Sequence, residues 1–192
     1  SESSISEGLR RLARNFSSGS QIEQEVPQKV TRGRDETVEI YVLALLLQGK
    51  TLELYEELSE ILVPSDFTNS AIKRVLEHMK TYVDDRASQP FFLKEFLSMV
   101  PSELLPTIDE ALLYDTSSFA ENEELSAREW MKSLRQLRLL VLRRKIRSLN
   151  TTIQNRSTEL STTVFDPTTE SLQEELHASI SLLSVLEKSA LN

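Results

Sequence analysis

Residues 35–50 read DETVEIYVLALLLQGK. The spacing predicts a helix, with Asp35 able to cap its start and Gly49 supplying the usual stop. Val38, Ile40, Tyr41, Val42, Leu43, Leu45, Leu46 and Leu47 surround its axis. A helix that is apolar on every side must be buried on every side, so this segment is expected to form the centre of a helical bundle. At about sixteen residues it falls short of the roughly 20 apolar residues that a membrane span needs.

The neighbouring segments supply partners for that helix. Thr51 is expected to cap a helix to about Leu62, with Leu52, Tyr55, Leu58 and Ile61 on one face, and Pro64 ends it. Ser65, Asp66 and Phe67 form a turn carrying a buried-type aromatic. Asn69 caps a further helix, whose stripe is Ile72, Val75, Leu76, Met79 and Val83. Pro90 precedes the short helix FFLKEFLSMV, Pro101 and Pro106 bracket a turn, and IDEALLYD makes another short helix before a loop from about Thr116 to Glu123. Upstream, ISEGLRRLARNF has helical spacing with Ser6 as its cap, and the polar stretch that follows reads as a linker.

From Ser126 to about Gln154 the pattern predicts one long helix. Trp130, Leu134, Leu137 and Val141 share a face. Leu142, Ile146, Leu149 and Ile153 share another, turned by roughly 120°. Such a helix is expected to act as a strut, with its first half on one body and its second on another. Asp166 and Pro167 open the last helix, whose stripe is Leu172, Leu176, Ile180, Leu183 and Leu186. It can pair antiparallel with the second half of the strut. The expected fold is all-α: residues 1–34 as a terminal helix and linker, 35–125 as a compact bundle, and 126–192 as strut and C-terminal helical hairpin.

Composition agrees with long helices and short connections. Among 192 residues there are four glycines and six prolines, and 39% are hydrophobic. No cysteine is present, which removes disulfides, thiolate metal sites and catalytic thiols. The two histidines, His78 and His177, are far apart, and each fits a solvated helix face. No glycine-rich phosphate loop, GxSxG elbow or HExxH helix occurs. The acids sit at ordinary helix-surface spacing, including Glu121, Glu123 and Glu124 beside a loop, so no metal or other cofactor is expected in this segment. Nothing resembles a signal peptide or an apolar span, and a cytoplasmic location without membrane contact is expected. Because the chain opens on Ser1, it reads as part of something longer.

Two features exceed the needs of the fold. Between Arg128 and Arg147 eight bases face one acid, a charge of +7 in a chain of net −8, which leaves −15 on the rest. Arg135, Arg138, Arg143, Arg144 and Arg147 are therefore candidates for a basic face, either balancing acidic neighbours or receiving an acidic partner or phosphate. On the last helix, Ala178, Leu182 and Val185 fall outside the main stripe and form a candidate partner-binding face.

The order of these segments resembles a known family. The run ETVEIYVLALLLQGKTLELYEELSEILVPSDFTNSAIKRVLEHM is similar to the start of the helicase-binding domain of bacterial DnaG-type primases. There an acid-led leucine-rich helix precedes a second helix, an Asp-Phe turn (here Asp66 and Phe67) and a third helix (here Ile72 to Met79). EWMKSLRQLRLLVLRRKIRSLNTTIQ resembles that family's long basic helix, which leads into a terminal hairpin. SISEGLRRLARNF resembles the last helix of the primase catalytic core. The resemblance implies a segment without its own active site, within a primase whose primer-synthesising core lies outside this chain. It also implies docking onto the N-terminal domains of a DnaB-type replicative helicase and modulation of primosome activity, with nucleic acid met only through the parent protein. A helicase collar-type oligomerisation domain and a helical nucleic-acid-binding module remain the alternatives.

Overall fold

The computed structural model describes residues 33–86, 89–120, 122–159 and 167–188. The first helix and linker expected before Gly33 lie outside the described residues, as does Asp166. Every element among the described residues is helical. In chain order these are α1 (Arg34–Gln48), α2 (Thr51–Ile61), α3 (Ser70–Asp85), α4 (Leu93–Met99), α5 (Leu105–Leu112), α6 (Ser117–Ala120), α7 (Glu123–Glu159) and α8 (Pro167–Lys188). Short 3₁₀ turns at Pro64–Asp66 and Ser102–Leu104 lead toward α3 and into α5. The described residues fall within one compact unit, which holds both sides of the division expected between residues 125 and 126.

Helix α1 is the axis of the bundle. Its residues from Val38 to Leu47 are buried except Tyr41, which is half-buried. Packed around it are Leu58 of α2, Ile72, Val75, Leu76 and Met79 of α3, Phe96 of α4, Ile108 of α5, and Trp130, Leu134 and Leu137 of α7. Tyr82, not Val83, completes the buried face of α3, where its ring meets Phe91 and Phe96 edge-on at 5.4 and 5.8 Å. Such edge contacts suit the quadrupoles of aromatic rings. Burial, reinforced by the Glu129 carboxylate that accepts from its hydroxyl at 3.1 Å, pushes the Tyr41 phenol up to about 12.

Several boundaries differ from the expectation, each for a local reason. Asp35 is not the cap of α1; Gly33 occupies that position, and Asp35 lies in the first turn, where an acid favours the positive end of the helix. Lys50 precedes α2, and Thr51 is its buried first residue. Gly49 is needed between α1 and α2 because a Cβ there would lie 2.8 Å from the Leu45 carbonyl oxygen and 2.8 Å from Leu54 Cδ1. Asn69 caps α3 as expected, its Oδ1 accepting from the amides of Ala71 and Ile72 at 2.9 and 3.2 Å. Pro106 sits in the first turn of α5 rather than in the preceding turn, where its missing N–H costs nothing. The expected loop after Thr116 contains α6. Helix α7 starts earlier than Ser126 because the Asn122 side chain accepts from the Leu125 amide at 3.1 Å.

A charged residue lies inside this apolar packing. Glu39, on α1, is 0% exposed. Its carboxylate accepts from the amide and hydroxyl of Thr68 at 2.8 and 2.9 Å, from the amide of Asn69 at 2.9 Å, and from the Arg144 guanidinium of α7 at 3.0 Å. Arg144 also donates to Asp35 at 3.3 Å and to the carbonyl of Asp66. Asp66 in turn accepts from the Val63 amide at 2.9 Å. One guanidinium thus ties α7 to α1 and to the turn before α3.

Removing one member of a buried ion pair leaves the other uncompensated, at a cost of about 3–5 kcal/mol. Glu39 also satisfies two backbone amides and a hydroxyl. Glu39→Ala and Arg144→Ala should each lower unfolding stability by about 3–5 kcal/mol in urea titrations. A loss under about 1 kcal/mol for either would contradict the network.

Candidate docking surface

Helix α7 presents different faces to different neighbours along its length. Trp130, Leu134 and Leu137 belong to the bundle core, with Leu140 and Val141 packed at its edge. Leu142 and Leu149 are buried outside that core. Ion pairs across the α7–α8 seam, Arg143 with Glu187 at 2.8 Å and Lys145 with Glu175 at 2.7 Å, together with a bond from Arg135 to the carbonyl of Leu186, fix α8 alongside α7.

The buried stripe of α8 is not the one expected. Leu172, Leu176, Leu183 and Leu186 are half-buried as the spacing predicts, but Ser179 is buried and Ile180 is 44% exposed. Ile180 therefore does not belong to the hairpin core. Neighbouring helix positions differ by roughly 100° of rotation, so only one of these two can face α7. The small Ser179 side chain turns back to the Glu175 carbonyl at 2.8 Å, satisfying its hydroxyl within the helix.

The other flank of α8 carries the candidate partner-binding face. Ala178 is exposed, Leu182 is 37% exposed and Val185 is 63% exposed. On the helix these three lie within a sector of roughly 60°, and Ile180 lies well away from them. The three side chains themselves are apolar, and the exposed Glu174 and Glu175 lie one turn before Ala178.

The basic residues do not form one face. Arg144 is consumed by the Glu39 network, Arg143 by Glu187, and Arg135 by the end of α8. Arg147 donates through Nε to the Arg143 carbonyl at 3.3 Å. Arg138 lies half-buried near Ile61 and Leu186. Density along the chain groups these five, and periodicity alone does not show that Arg144 turns toward α1. Glu39 and Thr68, which receive Arg144, were not foreseen as polar partners. The available signal is a carboxylate within the otherwise apolar run of residues 38–47.

Among the described residues no group of three or more His, Asp or Glu side chains is placed to hold a metal ion, and no helix is long and apolar enough to cross a membrane. No protein-family model, curated protein or solved structure matches the chain.

Ser179 gives a direct check on the α7–α8 packing. Ser179→Leu should destabilise the protein by about 1–3 kcal/mol through overpacking, whereas Ile180→Ser should change thermal stability little. The reverse order would mean that the Ile180 side of the helix faces α7.

Proposed function

We propose that this chain is the helicase-binding domain of a bacterial DnaG-type primase. In this reading it docks the primase onto the N-terminal domains of a DnaB-type replicative helicase and modulates primosome activity, while primer synthesis resides in a catalytic core elsewhere in the parent protein. The chain itself acts as an interaction module without a catalytic site or bound cofactor, and it works in the cytoplasm. The order of elements supports the reading: a leucine-rich buried helix, a second helix, an Asp-Phe turn, a third helix, then a long basic helix with a terminal helix laid back along it.

The observation that carries the proposal is the apolar flank of α8, where Leu182 and Val185 stand in solvent beside Ala178 although the seam with α7 uses a different face. Exposed aliphatic residues at helical spacing are the anchors of helix-in-groove recognition, and a few such anchors carry most of an interface's affinity. Nucleic-acid binding has less support, because three of the five candidate arginines already serve ion pairs or carbonyls that hold the fold together.

The test is titration of the chain against the helicase N-terminal domains. Val185→Glu should raise Kd by at least about tenfold with the melting temperature unchanged, since Val185 lies in solvent. Ile180→Glu, on the opposite flank, should leave Kd as it was. Unchanged affinity for Val185→Glu would contradict this face as the docking surface.

A further inference from the structure

Where the end of α8 meets the bundle, a second surface opens. Ile61 at the end of α2, Met131 and Leu134 on α7, and Leu186 on α8 line a groove of about 460 Å³. Leu134 is buried, and Met131 at the rim is 58% exposed. Among the described residues, every charged residue lining the groove is a cation, namely Lys132, Arg135 and Arg138, in a chain whose net charge is −8. Arg135 holds one wall in place through its bond to the Leu186 carbonyl. Among the described residues Lys132 pairs with Glu129, one turn back on its own helix at 3.1 Å, from a 71% exposed position. An exposed pair of that kind is worth little and is readily exchanged for a better partner.

We propose that this groove docks a helix of a partner protein that carries aliphatic anchors flanked by carboxylates. The anchors would sit against Ile61, Met131, Leu134 and Leu186, and the carboxylates would meet Lys132 and Arg138 at the rim. Charge complementarity of this kind selects and orients a partner more than it adds raw affinity. A nucleic-acid strand suits the groove less well. Its walls are aliphatic, and among the described residues no aromatic side chain lines it to stack a base. The inference does not depend on the helicase reading, because Ala178, Leu182 and Val185 do not line the groove.

The experiment uses the full chain with isotope-labelled Ile and Met methyl groups. The probes are synthetic helical peptides of about sixteen residues with Leu at i, i+4 spacing, flanked either by Glu or by Lys, and an oligothymidylate. The Glu-flanked peptide should shift the Ile61 and Met131 methyl signals saturably and bind at least about tenfold more tightly than the Lys-flanked one. Arg138→Glu should remove that preference, and Met131→Glu should abolish binding. Val185→Glu should leave peptide affinity unchanged, which separates this surface from the docking face above. No shift with either peptide, equal affinity for both, or stronger binding of the oligothymidylate at the same signals would overturn the proposal.

Discussion

The arrangement of this protein depends on neutralising one buried carboxylate. Glu39 sits on the central helix of the bundle and is fully buried there, where an uncompensated charge would be prohibitively costly. Its compensation comes from Arg144, 105 residues later, and from the backbone of the turn that starts α3. Apolar contact between α1 and α7 through Trp130, Leu134 and Leu137 would tolerate some sliding or rotation. A guanidinium bonded to Glu39, Asp35 and the Asp66 carbonyl permits far less. Buried ion pairs add little net stability compared with apolar packing, and specification of one register is their best-attested use. Here the register of α7 matters beyond the bundle, because α8 packs along α7. Leu182 and Val185 are carried on α8, whose place is fixed against α7 by Arg135, Arg143 and Lys145.

Much of the fold was readable because helical periodicity reports burial directly. The all-round apolar character of residues 38–47 identified the central helix. The spacing of Ile72, Val75, Leu76 and Met79 identified its partner, and Asn69 was recognisable as a cap from its chemistry alone. What escaped were choices decided by tertiary contact. Ser179 and Ile180 are adjacent, and both lie near the stripe of α8; only the packing against α7 decides which one is buried. The start of α7 moves back to Glu123 because Glu123, Glu124 and Leu125 suit a helix as well as a loop, and the Asn122 cap decides. Arg144 looked like one more member of a basic run, since no local pattern reveals which carboxylate a long side chain will reach.

The candidate surface was partly legible for a different reason. A helix needs one apolar stripe to pack on one neighbour, and α8 carries more apolar residues than one stripe can use. The surplus at Ala178, Leu182 and Val185 was visible before any contact was known, and it lies exposed. The groove near Ile61 and Met131 was not visible, because its walls come from three helices far apart in sequence. The two surfaces differ in chemistry: one is built on aliphatic residues of a single helix, while the other is aliphatic with a cationic rim. A module that holds a partner at the first and engages an acidic segment at the second could distinguish partners that either surface alone would accept.

The central claim is that the chain works by docking through the exposed flank of α8. Amide hydrogen exchange of the full chain, with and without the helicase N-terminal domains, tests it most directly. The account predicts added protection concentrated between residues 178 and 186, with α1 and α3 unchanged. Protection confined to α1–α5, or no protection at saturating helicase, would contradict it.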